Sequence, residues 1–130
     1  LLIDTHPGLN EEALLTMRAV DTLVVVLRPD TQDFEGTGVT VQVARQLEVP
    51  RILLVINQVP AGGAFQAVRA RAQKTFGCEV LAVIPQSAEF MGFEEEMPFV
   101  LRHPQHPVSL ALQHVALAMK CTTGTAPDSH

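Results

Sequence analysis

The chain has no tryptophan and no tyrosine among its 130 residues. Its core must therefore be aliphatic, with six phenylalanines as the only hydrocarbon rings. Cysteine is nearly absent: Cys78 and Cys121 stand far apart, with neither metal-ligand spacing nor a disulfide framework. That usage fits a reducing, cytoplasmic setting. Basic residues are also scarce. Nine Lys and Arg against fourteen Asp and Glu leave a formal net charge of −5, which argues against a broad DNA-binding face. No apolar run reaches the length of a membrane span, and no signal peptide, internal repeat or linker is visible. The stretch Lys120-Cys121-Thr122-Thr123-Gly124 is neither basic nor apolar, so it supplies no amphipathic membrane anchor.

What remains is 47% hydrophobic residues, enough for the core of one domain or part of one. The opening stretch Leu1-Leu2-Ile3-Asp4-Thr5-His6-Pro7-Gly8-Leu9 is an apolar run that ends in an acid and a Pro-Gly turn. Leu1 to Ile3 reads as a buried parallel strand. Asp4 would stand at its carboxyl end, where open α/β sheets bind ligands and a carboxylate can hold Mg²⁺ through water. Gly8 lets backbone approach a phosphate closely because it has no side chain. A plain strand followed by a turn accounts for the same nine residues.

Three further apolar runs follow: Leu23-Val24-Val25-Val26-Leu27, Ile52-Leu53-Leu54-Val55-Ile56, and Val80 to Ile84. Their unbroken apolar character predicts strands buried on both faces, parallel and adjacent, with Val25 at the centre of its run. Helices are expected between them. Asn10 is a plausible N-cap for residues 11–20, with Leu14, Leu15 and Met17 inward. Residues 31–47 repeat Val39, Val43 and Leu47 on one face, although Gly36 and Gly38 weaken the first turns. Residues 65–76 carry Arg69, Arg71 and Lys74 on a wet side and end at Gly77. After Pro85 the pattern loosens. A short helix over 86–92, a solvated Glu94-Glu95-Glu96 and a core-seeking Phe99-Val100-Leu101 precede a last helix from Pro107 through Lys120. Residues 121–130 read as a flexible tail. Alternating strand and helix imply right-handed βαβ units and an α/β fold: a parallel sheet with helices on both faces.

Taken together the motifs resemble one family. Asp4-Thr5-His6-Pro7-Gly8 resembles the switch II motif DxxPG of the MinD/ParA family of deviant Walker ATPases. Pro29-Asp30 with Glu35-Gly36 is similar to the pattern after that family's next strand. Val55-Ile56-Asn57 resembles its strand-end asparagine, and Val83-Ile84-Pro85 its "IP" strand end. The set is in the family's order and spans Leu1 to about Lys120. The resemblance implies a three-layer P-loop NTPase-like domain that binds ATP and Mg²⁺ and dimerises on the nucleotide. Its hydrolysis cycle would position a cargo such as a plasmid, chromosome, division inhibitor or organelle. It implies that Asp4 acts through water on Mg²⁺, that the Gly8 amide meets the γ-phosphate, and that Asn57, Pro85 and Gln86 border the adenine.

The family's Gly-rich loop with two lysines has no counterpart here; Gly36-Thr37-Gly38 and Gly62-Gly63 lack the lysine. The chain therefore reads as the carboxyl-terminal half, residues 1–120, of such a domain, and as inactive by itself. A non-catalytic pseudo-ATPase or a receiver-like partner-binding module is the competing reading. A cofactor-maturation ATPase of the same superfamily would carry paired cysteines, which Cys78 and Cys121 do not supply. Elsewhere, Asn57 and Pro85 also suit a turn and a strand end, Asp30 suits a helix cap, and Glu35 a dimer face. His6 reads as a loop residue. His103, His106 and His114 lack the spacing of a metal site.

Overall fold

The computed structural model describes residues 1–125, with side chains described through Lys120. Helix α1 (Glu11–Ala19) begins where the Asn10 side chain accepts the Ala13 N–H at 2.8 Å. This satisfies one of the orphan donors of the first turn. Strand β1 (Thr22–Leu27) follows, then helix α2 (Thr31–Gln46), capped in the same way by Asp30. Strand β2 (Arg51–Val59) leads to helix α3 (Phe65–Phe76), which stops at Gly77 in the left-handed conformation, φ 64°. Strand β3 (Glu79–Pro85) is followed by the single turns α4 (Ala88–Met91) and α5 (Phe99–Arg102) and the long helix α6 (Pro107–Thr125).

The sheet has three parallel strands in the order β1-β2-β3. Leu23 pairs with Ile52 and Leu27 with Ile56 across one seam; Leu54 pairs with Val80 and Val59 with Pro85 across the other. Side chains alternate between faces, as the pleat demands. Leu54, Ile56 and Val80 pack against Phe34 and Val41 of α2 and Ala72 and Phe76 of α3. Leu53, Val55, Leu81 and Ile84 pack on the opposite face against Phe99 and Val108, with Leu112 and Val115 of α6 beside them. A third cluster puts Met17 of α1 on Ala44 and Val49, joined by Leu9, Leu23 and Leu47. The fold is α/β with helices on both faces of an open sheet.

Several expectations need correction. Residues 1–3 form no strand: Leu1, Leu2 and Ile3 are exposed at 117%, 79% and 48%. Among the described residues β1 pairs with β2 alone, so the opening run has no neighbouring ladder to join. The first long apolar run is not central either. β1 is an edge strand, Val25 is only partly buried and Val26 is 62% exposed. The reason is coverage: α6 packs mainly on β3, so on that face Val24 of the outer strand is only partly covered and Val26 is exposed. The buried stripe of α2 is Phe34, Thr37, Val41 and Ala44, while Val39 is 53% exposed. Gly38 sits on the inner side, where an added Cβ would meet the Phe76 ring at 3.8 Å. In α1, Ala13 and Met17 are buried and Leu15 is exposed. Helix α6 runs past Lys120 to Thr125, and of the expected tail residues 126–130 lie outside the described residues.

Candidate functional site

The carboxyl ends of the strands hold the polar features of the fold. β2 does not stop at Ile56 as its apolar run suggests. It continues through Asn57 and Gln58 to Val59 with shifts of register. Gln58 takes a left-handed conformation, φ 56°, which a residue with a Cβ rarely adopts. The Asn57 Oδ1 accepts the Gln58 N–H at 2.9 Å and holds that kink. Asparagine side chains make such local bonds readily. Beyond the kink the Val59 carbonyl accepts the Gln86 N–H at 2.8 Å, and Val59 pairs with Pro85. Three of the residues singled out from sequence, Asn57, Pro85 and Gln86, are thus brought to neighbouring strand ends.

Asn57 also opens on a cavity of about 200 Å³ beside α6. Val24, Val26, Phe90, Leu112 and Val115 supply apolar walls, and Asn57 is the polar side chain among the lining residues. One lone pair of Oδ1 is taken by Gln58, and the Asn57 Nδ2 remains to donate.

Asp4, His6 and Gly8 are not among the residues that line this cavity. All three are exposed, on the segment before α1; Gly8 has φ +98° and open space where a Cβ would be. That space suits a close backbone approach. Asp30 is engaged as the α2 cap and Glu35 is exposed. Next to it, Asp33 accepts the Arg28 N–H at 2.9 Å and lies 3.4 Å from the Arg28 guanidinium Nε. The backbone N–H and the side chain of Arg28 hold the Asp33 carboxyl below its ordinary value. Cys78 is buried beside Arg45, and burial pushes its thiol up despite that cation. Burial and that direction suit a packing residue.

The loop after β3 holds a cluster that sequence reading did not foresee. Ser87 Oγ lies 3.4 Å from His106 Nε2, and Glu89 Oε1 lies 3.4 Å from the same nitrogen. His106 Nδ1 accepts the Val108 N–H at 3.1 Å. A Ser-His-acid relay needs its acid and its hydroxyl on opposite ring nitrogens. Here both share Nε2, so the group is not a nucleophile. His106 caps α6 instead, and its ring stacks edge-on to Phe99 at 5.0 Å. His103 stacks on Phe99 as well, at 4.9 Å. Among the described residues no three His, Cys, Asp or Glu side chains gather as metal ligands. The faint signal for this cluster was His106-Pro107 ahead of an apolar helix and Ser87 three residues before Phe90.

No protein-family model matches the chain, and no curated protein matches it. Solved structures do. The MinD cell division protein of Aquifex aeolicus superposes with a TM-score of 0.75 over 87% of this chain and 49% of that one, at 11% identity. The MinC:MinD cell division protein complex of the same organism gives 0.74 over 95% and 51%, also at 11% identity. The chain spans about half the length of these structures. At that identity the likeness is one of fold.

Proposed function

We propose that this chain is the carboxyl-terminal half of a MinD/ParA-like nucleotide-binding domain, whose ATP-dependent dimerisation controls the binding of a partner. The fold shared with MinD supports the reading. So does the kink near the end of β2, with the Asn57 amide on the cavity at the strand ends, which is the observation that carries the proposal. Adenine presents a donor and an acceptor on its edge, and an amide side chain answers both. Here Nδ2 is the donor, and Oδ1 keeps one lone pair beside its bond to Gln58. The backbone at Pro85 and Gln86 would border the base.

The fit is partial for the rest of the nucleotide. Asp4 would orient a water on Mg²⁺ and the Gly8 amide would approach the γ-phosphate, yet both lie on an exposed segment. Bound magnesium would neutralise phosphate charge. In this reading a phosphate-cradling loop upstream of Leu1 sets Asp4 and Gly8 in place. The solved MinC:MinD complex is the precedent for a protein partner.

Phosphate and Mg²⁺ contacts provide most of the grip in such sites. The 130-residue chain should therefore bind ATP–Mg²⁺ only at about millimolar strength, roughly −4 kcal/mol, and should not hydrolyse it. A longer version that carries the loop should bind far more tightly and turn over slowly. In that version Asp4→Ala should abolish Mg²⁺-dependent turnover, and Asn57→Ala should let GTP compete better. Calorimetry with a phosphate-release assay decides the matter. Tight binding by the short chain would put the phosphate site elsewhere. No binding by the longer one would favour the pseudo-ATPase or partner-binding module.

A further inference from the structure

We infer that α4 is a flap over the strand-end cavity, latched by neutral His106 and released when the imidazole takes a second proton. The inference stands without the nucleotide reading. Phe90 of α4 forms part of the cavity wall and packs edge-on against Phe99 at 5.1 Å. Ser87 caps this single turn by accepting the Phe90 N–H at 3.2 Å. Gly92 ends it, and Met91 is 61% exposed. So short a turn has few bonds of its own, and Ser87 and Glu89 both reach toward the His106 ring at the start of α6.

The geometry allows that ring one tautomer. Nδ1 accepts the Val108 N–H, so the proton sits on Nε2, where it faces Ser87 Oγ and Glu89 Oε1. A second proton must go on Nδ1. It would point at the Val108 N–H, two donors face to face, and remove the α6 cap. A cation at the amino end of a helix is further opposed by the helix dipole. The compensating attraction to Glu89 is weak, because that side chain is 72% exposed. The charged and titratable groups nearby are few. Glu89 of α4 faces the ring directly. His103 of the α5 end lies across Phe99, and Arg102 of α5 is engaged with Glu95 at 3.1 Å. The ring is 16% exposed, so it is reached by protons and still held in place. Released, the ring no longer holds Ser87, and Phe90 can swing off the Asn57 cavity.

The chain has no tryptophan, so Phe90→Trp places a unique reporter in the flap. On stepwise acidification of the native chain its emission should shift to the red. Far-UV circular dichroism should stay unchanged. His106→Asn keeps an N-cap acceptor but cannot titrate; in that background the shift should vanish. In His103→Asn it should persist. A flat profile with the native His106, or the same transition in His106→Asn, overturns the proposal. Should His106→Asn fail to fold, amide exchange of Val108 in the native chain decides: protection lost over the same titration supports the latch, and unchanged protection refutes it.

Discussion

Leu54 and Val26 lie one pleat apart on neighbouring strands and live in different solvents. Leu54 is 0% exposed between α2, α3 and the two flanking strands, while Val26 is 62% exposed on the outer edge. Leu54→Ala removes buried methyl groups and leaves a cavity, so it should cost about 2–5 kcal/mol in a denaturant titration. Val26→Asp puts a charge where water already is and should change stability by no more than about 0.5 kcal/mol. Both residues read as strand core in the sequence, since each sits in an apolar run. What the run does not say is whether a helix lies over it. Asn57 shows a similar limit. Its position at a strand end was legible, and its bond to Gln58 was not, because a left-handed glutamine breaks the local rule that reserves such backbone for glycine.

At the scale of one element, the entry to α2 is held by linked side-chain and backbone bonds. Asp30 accepts the Asp33 N–H at 2.8 Å, and Asp33 in turn accepts the Arg28 N–H at 2.9 Å. Its lowered folded-state pKa, caused first by that backbone N–H, has a definite sign. The stability it confers is present in full above the ordinary carboxylate range and is lost as pH falls through the lowered folded value. Asp33→Asn should therefore be less stable than the native chain at neutral pH, and the gap should close on acidification, as followed by urea midpoints across the range. A gap that does not depend on pH would assign the effect to shape and not to charge. The Pro29-Asp30 signal ahead of an apolar helix made this cap readable in advance. The second acid was not, because its partner is a backbone N–H supplied by the strand end.

For the whole molecule the decisive feature is the outer edge of β1. An edge strand of sequence Thr-Leu-Val-Val-Val-Leu carries no charge and no proline, the usual protections of an edge. Beside it in composition, Leu1, Leu2 and Ile3 are exposed without a ladder. The chain should therefore self-associate as concentration rises. Val26→Lys combined with Leu2→Glu should shift sedimentation toward the monomer while leaving the unfolding midpoint nearly unchanged. Association that is indifferent to both charges would place the sticky surface elsewhere, with the exposed Leu101, Leu110 and Leu117 as the next candidates.

The sequence by itself determined the three parallel strands, the helices between them and the caps at Asn10, Asp30 and Gly77. Those features follow from apolar runs, backbone-bonding side chains and one residue without a Cβ, all of which act over a few neighbours. It also placed Asn57, Pro85 and Gln86 at strand ends, since the ends of apolar runs are local as well. Tertiary structure alone decided which strand is the edge, that Val26 stays exposed, and that residues 1–3 find no strand partner. Coverage depends on where α6 comes to rest, many residues away, and no local pattern records it. The same holds for Ser87, Glu89 and His106, which are separated along the chain and meet because α4 and α6 pack around Phe99.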